Sequence, residues 1–187
     1  MVYHITCLPN AVNITKEDKI SLSPALLGAG ADNTDNKRFF FLSTTRSKGA
    51  GPYAEKALSG GRVCFVLDGD RLNADFKGRP YAYWSNRDHD RRMIKNEFGG
   101  YDTSMNEMED RIVSDKPYIN NFSRYVKSVD VLVEEGQKLY DKEKYMIYKI
   151  ISYYGYPRVR VYNNKRDYLR GTDNTITEKG NDIPVDR

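Results

Sequence analysis

Two short runs of apolar, β-forming residues constrain the fold of this chain more than any other feature. Residues 38–45 contain three consecutive phenylalanines and a leucine, followed by a polar Ser-Thr-Thr trio. Residues 62–68 read Arg-Val-Cys-Phe-Val-Leu-Asp, and the Asp-Gly-Asp sequence at 68–70 predicts a turn that closes this run. Apolar runs of this length between turn-forming residues are typical of buried strands. We therefore expect a sheet at the core of the protein, with these two runs as core strands.

Other segments predict further strands and one long helix. Strands are predicted at 2–6, 107–113, 128–133 and 158–162. The segment 107–113 alternates as an edge strand does, and a proline follows it at position 117. Apolar positions at helical spacing predict a helix over 134–154, ending at Gly155.

These elements and the chain length predict a single domain. A chain of 187 residues is long enough to bury one sizeable core. We expect an α+β domain over 1–170, with a mixed or split β-sheet and a C-terminal β-α-β segment. The remaining residues, 171–187, are polar and predict a loose tail.

Nothing in the sequence indicates a membrane, a metal or an oxidising compartment. No stretch has the roughly 18 to 20 consecutive apolar residues of a membrane-spanning helix, and residues 1–5 lack the pattern of a secretion signal. The cysteines, Cys7 and Cys64, each lie in an apolar run, where a free thiol acts as a small buried hydrophobe. We expect a protein of the reducing cytoplasm, with no membrane partner and no bound metal.

The net charge of +4 hides a strong asymmetry along the chain. Residues 1–136 carry 19 basic and 19 acidic side chains, whereas residues 137–170 carry 9 basic and 3 acidic ones together with eight of the 15 tyrosines. Cations interleaved with aromatic rings suit the phosphates and bases of a single-stranded nucleic acid. The residues expected to bind it are Lys138, Lys142, Lys149, Arg158, Arg160, Lys165 and Arg166. A plainer interpretation is that Tyr145, Tyr148 and Ile151 form the buried stripe of a helix whose lysines face water.

Three short motifs with chemically useful side chains fall on three different predicted strands. Along the chain they are Tyr3-His4, then Ser43-Thr44-Thr45 followed by Arg46, then Glu107 and Glu109. Positions i and i+2 of a strand share a face, so the two glutamates can meet one ligand. Two facing carboxylates also raise each other's pKa, which would help one of them act as a base. Each motif alone also has an ordinary structural explanation, and their order is what distinguishes them.

In this order the motifs resemble the three-part signature of the ADP-ribosyltransferase fold. That signature has a His or Arg on the first strand, Ser-Thr-Ser/Thr on a later strand and a catalytic Glu on another. The opening segment, the aromatic strand and Arg46 make the chain similar to the branch of this superfamily whose toxins ADP-ribosylate bases in single-stranded DNA. The resemblance covers roughly the first 115 residues and leaves the C-terminal β-α-β segment unexplained. It implies a sheet of the ADP-ribosyltransferase type and NAD as a substrate.

The resemblance also implies a role for each motif residue. Loss of nicotinamide from NAD gives a transition state with positive charge on the ribose, which a carboxylate would stabilise. Glu109 is implied as that carboxylate, and Glu107 as the group that positions or deprotonates the acceptor. The residues implied to bind NAD are His4 at the nicotinamide ribose, Ser43 and Thr44 in support of that pocket, and Arg46 at the diphosphate. Arg111 departs from the pattern, because it would share a face with Glu109 and could lower the pKa of that carboxyl group.

Two other functions are open from the sequence. The first is a protein that binds or inhibits a nucleic acid, a nucleotide or a protein partner without catalysis, since Tyr and Arg dominate interfaces. The second is a Mg²⁺-dependent nuclease, for which carboxylates are present at Asp68, Asp70, Glu97, Glu107, Glu109 and Asp110. Binding of NAD would separate the transferase from both, and Mg²⁺-dependent cleavage would identify the nuclease.

Overall fold

The computed structural model describes residues 1–24, 40–45, 48, 62–81, 94–95, 101–102, 109–156 and 158–170. The helices in these ranges are α1 (Leu8–Glu17), α2 (Gly69–Asp75), α3 (Asp141–Tyr154) and α4 (Lys165–Arg170). The strands are β1 (Val2–Thr6), β2 (Lys19–Ser21), β3 (Ser23–Pro24), β4 (Phe40–Thr45), β5 (Val63–Leu67), β6 (Lys77–Tyr81), β7 (Ile94–Lys95), β8 (Tyr101–Asp102), β9 (Glu109–Ser114), β10 (Tyr118–Asn120), β11 (Val126–Leu132) and β12 (Val159–Tyr162). None of the described helices is both long and apolar enough to cross a membrane. The predicted tail at 171–187 lies outside the described residues.

Eight of the strands in the described ranges form one large mixed sheet. Its order, within the described ranges, is β12-β11-β5-β1-β4-β9-β6, with β3 paired to β4 beside this path. The β11–β12 pair is parallel, and the other neighbouring pairs of this sheet are antiparallel. Two small ladders pair β2 with β10 and β7 with β8. The predicted α+β class with a mixed sheet is confirmed, and the six predicted strands begin and end within two residues of the observed ones.

The prediction that residues 107–113 form an edge strand is wrong. The corresponding strand, β9, lies between β4 and β6, so that Arg111 is paired in register with Ser43 on one side and Arg79 on the other. The neighbour on the other side, β6, contains Gly78 and Pro80, which are poor strand formers. A proline fits β6 because, among the described strands, β6 stands at the end of the sheet order.

The turn predicted at 68–70 is instead the start of helix α2. The carboxylate of Asp68 accepts a hydrogen bond from the backbone N–H of Arg71 at 3.1 Å, which caps the helix. The side chain of Lys127 also reaches this carboxylate at 3.2 Å. Both contacts lower the pKa of Asp68, with the backbone hydrogen bond as the larger cause. Asp-Gly-Asp suits a helix start as well as a turn, so local sequence could not separate the two.

Both faces of the central strands are covered. Phe65, Val129 and Val131 point to the first face, where Ile147 of α3 and Ala11 of α1 pack against them in the larger core. Cys64 and Leu132 point to the second face, where Tyr168 of α4 closes a smaller core. All five residues of β5 are therefore buried, which explains its unbroken apolar sequence.

Helix α3 is shorter than predicted and buries a different stripe. It begins at Asp141 rather than at residue 134, and the Tyr140 N–H donates to the Glu143 carboxylate at 3.0 Å. It ends at Gly155, as predicted, where φ is +72° and a left-handed conformation favours glycine. Its buried residues are Ile147, Ile150 and Tyr154. Tyr145 and Tyr148 are 58% and 47% exposed, so the predicted buried stripe is wrong.

Candidate functional site

The three motifs recognised in the sequence lie on three adjacent strands. Tyr3-His4 is on β1, the Ser-Thr-Thr trio ends β4, and Glu109 begins β9. In the sheet, β4 lies between β1 and β9. Tyr3 is the register partner of Thr45, and Thr45 is the register partner of Glu109. One line across the sheet therefore passes through all three motifs, although they are far apart in the sequence.

The ladder between β1 and β4 is short. Within the described residues, β1 has five register pairs with β5 and one with β4, namely Tyr3 with Thr45. His4 follows this pair along β1, and its Nδ1 atom is 3.0 Å from the carbonyl oxygen of Ser43 in β4. Because a carbonyl can only accept, Nδ1 carries the proton in the tautomer that makes this bond, and Nε2 is then the acceptor of the ring.

Strand alternation divides the predicted NAD-binding residues between the two faces. His4 is paired with Phe65 and so lies on the first face, whereas Tyr3 lies on the second. Ser43 and Thr44 are consecutive in β4, so their side chains point to opposite faces, and Thr44 is fully buried. They cannot both line one pocket through their side chains, as the sequence interpretation required. Arg46 and Glu107 lie outside the described residues, and Glu109 is described by its backbone alone.

A polar cleft lies beside His4. Its volume is about 620 Å³, and the end of β1, helix α1 and strand β2 form its walls. The polar residues that line it are His4, Thr6, Asn10, Asn13, Glu17, Lys19 and Ser21. Clefts of roughly 300–1,000 Å³ with a few convergent polar groups are typical of small-molecule sites.

The sequence interpretation missed this cleft, although a signal was present. Asn10, Asn13 and Glu17 have the i, i+3, i+7 spacing of one helix face, and they follow directly after the strand that carries His4. The opposite face of α1 is apolar and buried through Leu8 and Ala11. The ion pair between Glu17 and Lys19, at 3.0 Å, sits at the outer end of the polar face.

Arg111, which departs from the expected pattern, is nearly buried on β9. Its guanidinium carbon lies 4.0 Å from the centroid of the Phe41 ring, a cation–π distance. Phe41 is paired with Val113, two positions further along β9 from Arg111 and on the side away from Glu109. The Arg111 guanidinium group therefore lies over the Phe41 ring, on the side of Arg111 that is away from Glu109.

The seven basic residues expected to bind nucleic acid do not share one surface. Lys142 and Lys149 are on α3, which covers the first face, whereas Lys165 and Arg166 are on α4, which covers the second. Lys165 pairs with Glu134 at 3.3 Å. Arg158 donates a hydrogen bond to the Val126 carbonyl, and Arg160 forms a two-point ion pair with Asp130 at 2.7 and 3.0 Å. Lys138 is exposed in the segment that precedes α3.

A group of charges, two of them buried and one partly exposed, lies on the second face, and we call it the Lys48 cluster. It consists of Lys48, Asp130 and Arg160, and the ammonium group of Lys48 lies 2.6 Å from Asp130. Three aromatic rings surround that ammonium group, those of Tyr3, Tyr162 and Tyr168 at 5.8, 5.3 and 4.8 Å. Arg160 was expected to bind nucleic acid, but its guanidinium group pairs with Asp130 on the face of the strand that α4 covers.

The Lys48 cluster changes the chemistry of its neighbours. Burial raises the pKa of the Cys64 thiol, and the charge of Asp130 adds to this effect while Lys48 opposes it. Burial also raises the pKa of Tyr168 well above its usual value. These groups therefore stay protonated near neutral pH, and Cys64 is a packing residue rather than a nucleophile.

The described residues lend no support to a nuclease centre. Within these ranges, no three His, Cys, Asp or Glu side chains come together as a group that could hold a metal ion. Asp68 caps α2 and Asp70 lies in the first turn of that helix. Glu97 and Glu107 lie outside the described part of the chain.

Comparisons of this chain with models of protein families, with curated proteins and with solved structures find no match.

Proposed function

We propose that this protein is an ADP-ribosyltransferase that uses NAD as its substrate and transfers ADP-ribose to a nucleic acid or protein acceptor. The observation that carries the proposal is the register line Tyr3–Thr45–Glu109 across three adjacent strands. Three motifs that are far apart in the sequence need not align at the same level of a sheet. Here they align at the register pair Tyr3–Thr45, next to His4 and the cleft beside it.

In this mechanism Glu109 stabilises the charge that develops when nicotinamide leaves. The bond between the ribose C1′ atom and the nicotinamide nitrogen breaks, the electron pair leaves with nicotinamide, and the ribose becomes cationic. A carboxylate that accepts a hydrogen bond from a ribose hydroxyl holds negative charge beside that cation. Glu107 would then receive the proton of the attacking acceptor group as it bonds to C1′.

The other motif residues would bind and orient NAD. His4, with its proton on Nδ1 towards the Ser43 carbonyl, lies on the first face beside the cleft, where it would contact the part of NAD that the cleft holds. Arg46 would hold the diphosphate with its planar set of donors. Because Thr44 is fully buried, its part is to fix β4 against the first face rather than to touch NAD.

We assign the cleft beside His4 to one part of the same substrate. The amide groups of Asn10 and Asn13 each offer a donor and an acceptor. Such a pair of groups matches the carboxamide of nicotinamide or the edge of adenine. The cleft therefore explains why polar side chains interrupt α1 on the side next to His4.

The test is transfer of label from NAD carrying a radioactive adenylate, with single-stranded DNA, RNA and protein offered as separate acceptors. Glu109→Gln keeps the shape of the side chain and removes its charge. We expect it to reduce transfer or NAD hydrolysis by about 100-fold or more, which corresponds to about 3 kcal/mol of transition-state stabilisation, with NAD affinity little changed. Glu135→Gln, at an exposed position after β11, is the matched control and should leave turnover unchanged.

Other outcomes separate the alternatives. A wild-type protein that binds NAD without turnover would be a binding protein, and the catalytic roles would be withdrawn. No measurable NAD binding would contradict the proposal as a whole. Cleavage of nucleic acid that needs Mg²⁺ and ignores NAD would favour the nuclease.

A further inference from the structure

Helix α3 exposes an unusual number of aromatic rings to solvent. Tyr145, Tyr148 and Tyr153 are 58%, 47% and 46% exposed, and Tyr140 and Tyr156 flank the helix with 74% and 55% exposure. Among the described residues, the other large hydrophobic side chains with comparable exposure are Met1 and Tyr118. Exposed rings concentrated in one segment mark a binding surface more often than isolated ones do. We call Lys142, Tyr145, Tyr148, Lys149 and Tyr153 the tyrosine-lysine face.

The spacing of these residues puts them on one side of α3. Lys142, Tyr145 and Lys149 follow i, i+3, i+7 spacing, and Tyr148 is three residues from Tyr145. With a rise of about 1.5 Å per residue, Tyr145 and Tyr148 are about 4.5 Å apart along the axis, and Tyr148 and Tyr153 about 7.5 Å. The opposite side of the helix is anchored in the larger core, so the exposed rings stand on a fixed support.

Lys142 and Lys149 give this face two positive charges, and two acidic side chains lie near it. The Lys149 ammonium group lies 5.0 Å from the centroid of the Tyr145 ring, so ring and cation form one unit. Asp141 is fully exposed at the start of the helix, 3.7 Å from Lys144, and Glu143 pairs with Arg62 at 3.0 Å, so the two lysines outnumber the one acidic group left exposed. Lys142 is exposed on the same face. An anionic ligand with flat rings therefore matches both the charge and the aromatic surface.

We propose that the tyrosine-lysine face binds single-stranded nucleic acid, with bases stacked on the tyrosines and phosphates beside the lysines. Stacking on side chains needs bases that are not already paired in a duplex. Protein interfaces also use tyrosine, but they are depleted in lysine, so the lysines of this face favour the nucleic acid. The binding needs no sequence-specific contact, because every base has a face that can stack. It requires neither NAD nor Glu109, so it stands independently of the proposed catalysis.

The experiment measures fluorescence anisotropy of labelled 12-nucleotide oligo(dT) and oligo(U), and of a 12-base-pair duplex, without NAD. We expect both single strands to bind and the duplex to bind more weakly. If the two lysines each neutralise one phosphate, affinity should fall about sevenfold between 50 and 200 mM salt, from a log-log slope of about 0.7 per phosphate. Tyr145→Ala and Tyr148→Ala should each weaken binding about fivefold or more, the lower end for loss of one stacked base.

The structure offers a close control for the tyrosine substitutions. Tyr118 is 40% exposed on β10 and has its own lysine, with the Lys19 ammonium group 5.7 Å from the ring. Tyr118→Ala removes the same chemistry from a different surface and should leave oligonucleotide affinity unchanged. Lys142→Gln should lower both the affinity and the salt slope.

Three results would overturn the proposal. They are an absence of binding at 50 mM salt, equal affinity for the duplex, and Tyr145→Ala and Tyr148→Ala variants that bind like the wild type. Because all the substituted side chains are exposed, circular dichroism should show unchanged folding in each variant.

Discussion

The Lys48 cluster predicts that two substitutions at one ion pair have very different effects on stability. Asp130 is fully buried and accepts hydrogen bonds from the Lys48 ammonium group at 2.6 Å and from Arg160 at 2.7 and 3.0 Å. One carboxylate therefore serves two cations. Asp130→Asn removes the negative charge and leaves the buried Lys48 ammonium group and the partly exposed Arg160 without it. Lys48→Met removes one cation and leaves a two-point pair between Asp130 and Arg160.

The magnitudes follow from this asymmetry. Removing the shared partner of a buried ion pair costs about 3–5 kcal/mol, and we expect that range for Asp130→Asn. Lys48→Met loses one charged hydrogen bond, but methionine has a similar length and fills the tyrosine cage. We expect a loss of about 1–2 kcal/mol. The double variant should be more stable than the sum of the two losses predicts, because the two groups contact each other.

The assay is urea denaturation at pH 7 of the wild type, both single variants and the double variant. The slope against denaturant should stay constant, so that shifts of the midpoint report the free energy of unfolding. The reasoning fails if Lys48→Met destabilises the protein as much as Asp130→Asn. It also fails if the double variant shows simple additivity.

Two further predictions concern titrating side chains. Cys64 is fully buried with a raised thiol pKa, whereas Cys7 is partly exposed. A thiol reagent at pH 8 should therefore label Cys7 quickly and Cys64 only after denaturation. Equal labelling rates for the two thiols would contradict this prediction. Burial and the hydrogen bond to Asp75 at 2.6 Å raise the pKa of Tyr125 to about 12. An unfolded tyrosine titrates near pH 10, so the stabilisation that comes from keeping Tyr125 protonated is present below pH 10 and is lost as the pH rises towards 12. In urea denaturation the stability difference between wild type and Tyr125→Phe should shrink over that pH range, and a constant difference would exclude the effect.

The strands were predictable because their signal is local. The runs that became β4 and β5 are apolar and bounded by turn formers, and β11 and β12 read as strands on either side of a helix. Strand β6 was missed because Gly78 and Pro80 weaken the local signal, and the strand forms through its pairing with β9. Pairing partners far along the chain leave no trace in a window of a few residues.

Burial was less predictable than secondary structure. In α3, the stripe Tyr145-Tyr148-Ile151 and the stripe Ile147-Ile150-Tyr154 are both apolar at helical spacing, and periodicity cannot choose between them. The choice is made by the partner, since the second stripe meets the sheet and α1. The same reason applies to Arg160: alternation gives the face of the strand but not that α4 covers this face.

The candidate site depends on a register that no local sequence signal specifies. Leu42 and Ile112 are paired across β4 and β9 and are both 2% exposed, so the first-face core fixes how these strands align. A slip of one residue would move Ile112 to the opposite face and bring Asp110 rather than Glu109 opposite Thr45. The apolar pair in the core thus determines which carboxylate residue stands on the register line with Tyr3. Packing on one face of the sheet and the proposed chemistry at the end of these strands are two consequences of a single alignment.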